Sequence, residues 1–138
     1  MGYYTVKGIC RGAKMGRIRK QTLDGNVETL IMAVLAEGPS YGYAIVRDLK
    51  ERSEGLLKLG EGTIYPVLYR MEDKGLISSR WAVGENGRER KYYRLVARGK
   101  RAFAANRQEW QALLSIMEKV LGHSGGLAGN AQVKGATI

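Results

Sequence analysis

The chain of 138 residues has one cysteine, Cys10, and one histidine, His123. A single thiol excludes an internal disulfide and an all-cysteine metal site. A single imidazole, in a glycine-rich stretch far from any acid cluster, leaves a zinc site or a histidine-based triad almost nothing to work with. The Asp and Glu residues are mostly spread among surface-type positions and form no convergent constellation, so an enzyme is disfavoured. No catalytic residue, metal or cofactor is expected. Long apolar runs are also missing. The longest, Leu30 to Ala36, falls far short of the ~20 residues that cross a bilayer. The N-terminus carries basic residues but no apolar core of a secretory signal, so the expected location is the cytoplasm. Acids are in deficit, 13 Asp and Glu against 23 Lys and Arg, for a net charge of +10. That balance points to an acidic partner, either nucleic acid or an anionic membrane surface. The hydrophobic content of 44% is enough for a core, and the length suits one domain with appendages.

The best-defined stretch is Gly60 to Ile77, GEGTIYPVLYRMEDKGLI. Ile64, Val67, Leu68 and Met71 recur at i, i+3, i+4 and i+7, the spacing of one buried helical stripe. Gly60 serves as N-cap, a weaker one than serine. Gly75 stands where a left-handed residue ends a helix, just after Lys74, a cation suited to the negative helix end. The opposite face carries Thr63, Tyr65, Pro66, Tyr69, Arg70 and Asp73. Hydroxyls, rings and a guanidinium on one face suit phosphates and base edges in a major groove. A half-buried surface helix would look the same, so the neighbouring elements must decide. Pro66 removes the backbone bond to residue 62 and predicts a bend or loosened turn.

Residues 1–20 hold six cations, Lys7, Arg11, Lys14, Arg17, Arg19 and Lys20, and no acid. Four glycines interrupt this arm, and neither helical nor strand periodicity is evident. Three readings fit: an arm lying along phosphates, a solubilising extension, or a leader preceding a true start at Met15. A first helix is expected over Leu23–Ala36, buried through Val27, Leu30, Ile31, Val34 and Leu35. Glu37-Gly38-Pro39-Ser40 ends it, with Ser40 capping the next helix. That second helix runs from Tyr41 to about Ser53, with Tyr43 or Ala44, Ile45, Val46 and Leu49 inward. Gly42 within it costs about 1 kcal/mol against alanine, which a close helix crossing would explain. The free amides at its start, with Ser40 and Tyr41, suit a phosphate.

After Gly75 the period becomes two. Ile77, Ser79, Trp81 and Val83 share one face of a strand, and the polar turn 84–89 leads to a second strand over Arg90–Val96. Arg88, Arg90 and Lys91 crowd the tip and return of this hairpin; such charge also protects exposed edges from aggregation. Residues 97–121 then form a long helix. Phe103, Trp110 and Met117 are spaced by seven, as are Leu113 and Val120, while Leu114 and Leu121 widen the stripe. This length suits packing on a partner helix and hence a homodimer, though packing back on its own domain is the alternative. Residues 122–138, with five glycines and one lysine, are expected to be disordered.

Three helices, a basic hairpin and a long helix make a mainly α chain with a small β-hairpin. The order is that of a winged helix-turn-helix with a long C-terminal dimerisation helix. The expected organisation is a basic arm (1–20), a DNA-binding domain (21–97), a dimerisation helix (98–121) and a glycine-rich tail (122–138). The strings YGYAIVRDL (41–49), GTIYPVLYRMEDKGLI (62–77) and RERKYYRLVARGK (88–100) resemble the PadR family of transcriptional regulators over about residues 22–121. Because no large domain follows the long helix, the likeness is to its short subfamily.

The resemblance implies a homodimeric, ligand-responsive repressor on a palindromic operator. It implies that Thr63, Tyr65 and their neighbours on the third helix enter the major groove; Tyr69, Arg70 and Lys74 on that helix, with Ser40 and Tyr41, complete the candidate DNA contacts. Arg88, Arg90 and Lys91 of the wing would meet backbone or minor groove. Phe103, Trp110, Leu113, Leu114, Met117, Val120 and Leu121 would hold the dimer. Some relatives line a flat pocket between subunits with a helix-4 tryptophan, and Trp110 matches that position. It is therefore a candidate for a planar or phenolic effector, or simply interface packing. Three positions depart from the family pattern: Gly60 stands for serine, Tyr69 for lysine, and Val96 for a capping threonine. A ligand-binding or protein-interaction module on the same scaffold, or an RNA-binding winged helix, is the competing reading.

Overall fold

A computed structural model describes residues 3–6 and 16–122. The expectations for Cys10, His123, most of the basic arm and the tail from residue 123 lie outside the described residues. Two compact units are formed, one ending at Phe103 and one beginning at Ala104.

In the first unit, β1 (Tyr3–Val6) pairs antiparallel with β2 (Gly16–Arg19). Neither strand is evident from periodicity in the sequence. Residues 3–6 and 16–19 are too short to reveal a period of two, and their pairing is a long-range event. Ile18 packs against the core. The chain passes directly into α1 (Lys20–Leu35), which starts three residues earlier than its apolar pattern predicts and has no side-chain cap at Arg19. Its buried stripe includes Leu23 and Met32 besides Val27, Ile31, Val34 and Leu35, while Leu30 is only half-buried.

Ser40 and Tyr41 do not cap a helix by side chain. They form β3 (Ser40–Tyr41), which pairs with Tyr93 and Tyr92 of a later strand. Two residues are too few to show periodicity, so sequence reading assigned Ser40 to a cap. Helix α2 (Gly42–Arg52) follows with Tyr41 as N-cap and no side-chain hydrogen bond. Ile45 and Leu49 are buried as expected, but Tyr43 points outward. Arg52 at the end of α2 pairs with Glu37 at 2.7 Å, joining the ends of the first two helices.

Helix α3 (Glu61–Asp73) starts at Gly60 and runs unbroken through Pro66. Ile64, Val67, Leu68 and Met71 are its buried stripe. At its end Leu76 N–H donates to Met71 O at 3.0 Å and Gly75 N–H to Glu72 O at 3.0 Å, with Gly75 at φ 75°. This is a Schellman stop, which the left-handed glycine permits. Strands β4 (Ile77–Val83) and β5 (Glu89–Leu95) form the hairpin, and the sheet order is β3-β5-β4. Ile77 faces Leu95, Ser79 faces Tyr93, and Trp81 faces Lys91. At the base of that face Ile77, Tyr93 and Leu95 close the core formed by α1, α2 and α3.

Helix α4 (Ala97–Leu121) begins after Val96, whose N–H donates to Leu76 O and whose carbonyl accepts from Lys100 N–H. Gly99 is buried against the Leu76 carbonyl, so close that a side chain there would overlap it. One turn on, Phe103 is half-buried against the same core. Phe103, the first member of the heptad series, thus packs within the protomer. In the second unit, Trp110, Leu113, Leu114, Met117, Val120 and Leu121 stay exposed.

Candidate nucleic-acid interface

The apolar stripe of α3 is spent on the core, so its remaining residues must face outward. Glu61, Gly62, Pro66, Tyr69, Arg70, Asp73 and Lys74 are exposed, with Thr63 and Tyr65 half-buried. Gly62, Pro66, Tyr69 and Asp73 follow one another at helical spacing and make a continuous outer row. Tyr69 is 53% exposed.

Tyr65 serves a different purpose from its neighbours. Its ring crosses Gly42 at the start of α2, where an added Cβ would come within 2.5 Å of the hydroxyl. The glycine predicted to allow a close helix crossing does so, with a tyrosine as the crossing group. Burial raises the Tyr65 pKa above 10, aided by Glu61 and Tyr69 and opposed by Arg90. Lys74 caps the C-terminal end of α3 and pairs with Glu28 of α1 at 2.9 Å. It therefore ties two helices of the scaffold together as well as carrying charge.

The hairpin places its cations beside this row. Arg90 lies over the Tyr41 ring, 4.3 Å from its centre, and Tyr41 meets Tyr92 edge-on at 5.4 Å. The guanidinium is thus held by an aromatic face rather than by a carboxylate. Its positive charge remains available to an outside anion. The Lys91 ammonium lies 5.6 Å from the Tyr69 ring and 5.7 Å from the Tyr93 ring. Arg88 is exposed in the turn, which Gly87 at φ 78° and the Gly84 N–H to Arg88 O bond of 2.8 Å hold shut. Ser79 Oγ donates to Glu72 Oε2 at 2.7 Å, fastening β4 to α3.

Between α3 and the hairpin lies an open cleft of about 620 Å³. It is lined by Tyr41, Tyr43, Tyr65, Tyr69, Trp81 and Tyr93, by Arg88, Arg90 and Lys91, and by Glu61 and Glu89. Tyr93 is only 1% exposed, and its hydroxyl is buried without a hydrogen-bond partner. Burial, with Tyr69, Glu72 and Tyr65 nearby, pushes its pKa up to about 12. Sequence reading gathered the cations and Tyr65 and Tyr69 into this surface but missed Trp81 and Tyr43. The period of two puts Trp81 on the inward face. Its distance from the hairpin base, four residues beyond Ile77, is the signal that it overhangs the core. Ser40, half-buried in the edge strand, and Phe103, half-buried against the core, do not line this cleft. Among the described residues no group of His, Cys, Asp and Glu is arranged to hold a metal ion. No described helix is long and apolar enough to cross a membrane.

A helix pair whose second member projects an unburied row, flanked by a basic two-stranded wing, defines a winged helix-turn-helix DNA-binding protein. Comparison with known proteins gives the same class. The profile of the PadR-like family of transcriptional regulators matches residues 31–105, and the chain belongs to that family. A PadR family transcription regulator from hypervirulent Clostridium difficile is 39% identical, with a TM-score of 0.64 over 71% of this chain and 100% of the other. A PadR-like regulator from Bacillus cereus is 27% identical, with a TM-score of 0.68 over 76% of this chain and 100% of the other. A transcriptional regulator from Mycobacterium tuberculosis is 36% identical over 81 residues, 59% of this chain and 72% of that protein. The chain is thus a DNA-binding transcriptional regulator of the PadR-like family.

Proposed function

We propose that this regulator is a cytoplasmic, ligand-responsive repressor that binds a two-fold symmetric operator as a homodimer. The observation that carries the DNA-reading part is the outer row of α3, left unburied beside the wing cations. Thr63, Tyr69 and Arg70 contact base edges and phosphates in the major groove. Arg88, Arg90 and Lys91 supply the salt-dependent backbone affinity. Tyr41 acts by positioning Arg90, and Tyr65 by fixing the angle between α2 and α3.

The exposed apolar residues of α4 from Trp110 to Leu121 support the dimer. On one helical face they leave large apolar groups in water unless a second copy covers them. Two reading helices then sit in successive major grooves, about 34–36 Å apart. A planar or phenolic effector at Trp110 between subunits would favour another spacing of the heads and release DNA. In this reading residues 21–97 form the DNA-binding domain and 98–121 the dimerisation helix.

A gel shift on the gene's own upstream region tests the reading. Tyr69→Ala with Arg70→Ala removes exposed groups only, so the protein should fold normally yet lose the shift. An equal shift for variant and wild type would show that α3 is not the reader. Duplex RNA competing as well as duplex DNA would favour an RNA-binding winged helix.

A further inference from the structure

Trp81 has no role in the reading above, yet its place in the fold is unusual. It is 64% exposed, on the same sheet face as the buried Ile77 and Tyr93. It stands opposite Lys91 in the hairpin register and lines the cleft between β4 and α3. The same cleft is lined by Tyr69, 53% exposed, and Tyr43, 51% exposed. A scattered exposed ring needs no explanation. Three large rings left in water around one cleft, with Arg88, Arg90 and Lys91 among them, form a coherent surface. A negatively charged strand with flat or apolar segments between its charges would match it.

We propose that Trp81, with Tyr43 and Tyr69, forms an aromatic wall against which the deoxyriboses of one strand of duplex DNA pack. The occupant is duplex DNA because the cleft is continuous with the outer row of α3. Any strand flanking the groove that α3 enters must pass beside the wing. The cations neutralise its phosphates, while the rings take up the apolar edges of the sugars between them. The two carboxylates in the lining, Glu61 and Glu89, oppose a phosphate directly at their own positions. The inference rests on the DNA-binding reading and adds to it a contact independent of base sequence and of charge.

The test uses the full chain and a short mixed-sequence duplex at low salt, with affinity measured as salt is raised. Trp81→Ala should weaken binding about tenfold and leave the steepness of the salt response unchanged. Lys91→Ala should flatten that response. Trp81→Phe keeps a ring and should keep most of the affinity. It should lose the change in tryptophan emission that duplex causes in the wild type, because Trp81 leaves water on binding. Circular dichroism and melting of each variant check the fold. Equal affinity of Trp81→Ala and wild type, or a flattened salt response for Trp81→Ala, would overturn the proposal. So would equal binding of single-stranded DNA of the same sequence, which would assign the wall to unstacked bases. If the wild type bound no duplex, the DNA-binding reading itself would fail. If the wild type bound and only Trp81→Ala was indifferent, the failure would belong to the aromatic wall alone.

Discussion

A methyl group at Gly99 would run into the backbone carbonyl of Leu76 and the side chain of Leu95. Alanine is favoured over glycine in a helix interior by about 1 kcal/mol, but a collision with backbone outweighs that. Gly99→Ala is expected to destabilise by about 1–3 kcal/mol, read from urea denaturation at unchanged slope. Gly62→Ala is the contrast, since nothing lies within 4 Å of the added group; it should stabilise by about 0.5 kcal/mol. Tyr93 gives a prediction in pH. Its folded pKa of about 12 lies above the unfolded value near 10. Between those values the unfolded chain has lost the phenolic proton that the folded chain keeps. The stability this group contributes is therefore complete below pH 10 and falls as pH rises through 12, by at most about 1.4 kcal/mol per pH unit. Tyr93→Phe should show a shallower alkaline loss in the same denaturation experiment. Equal slopes would mean that the hydroxyl ionises freely in the folded protein.

Helix α3 shows how one element serves two surfaces. Its inner stripe and its Schellman stop were both legible, because period and cap residues are local features of residues 60–77. The function of its outer residues was less so. Tyr65 and Tyr69 are one turn apart and alike in chemistry, but only Tyr65 meets Gly42 of α2. Tyr65→Ala should therefore lower stability, whereas Tyr69→Ala should not; thermal melts distinguish them. Helix α4 divides in the same way. Phe103 joins the core while Trp110 and later residues stay exposed. In the dimer reading, Leu113→Asp with Met117→Asp buries carboxylates against apolar neighbours without touching the protomer core. Sedimentation should show a monomer where the wild type is a dimer, with the melting of residues 16–103 little changed. A stable wild-type monomer would remove the basis for paired reading heads.

For the whole molecule, the net charge of +10 makes an anionic partner favourable but selects none. Selection comes from the fold, which gathers Arg88, Arg90 and Lys91 beside the outer row of α3. Operator affinity should fall linearly and steeply on a log–log plot against salt. In a dimer Lys91→Ala removes one contact from each head, so the slope should drop by about 2. An unchanged slope would place Lys91 away from phosphate. Tyr41→Ala should weaken binding through Arg90, whose guanidinium loses its aromatic support. Arg90→Ala added to that variant should then cost less than it does alone, as a double-mutant cycle would show.

The linear chain by itself determined the order of helices and the hairpin, the stripes of α1 and α3, and the stops at Gly38-Pro39 and Gly75. These depend on periodicity and on residues a few positions apart, so they are written locally. Three motif strings sufficed for the family, because the same local requirements recur in its members. Only the tertiary structure decided that Ser40 and Tyr41 join a sheet, that Phe103 packs against the core, and that Trp81 and Tyr43 line one cleft. Each of those outcomes depends on a partner tens of residues away. Hydrophobicity records that such a side chain needs a neighbour; the folded backbone chooses which one.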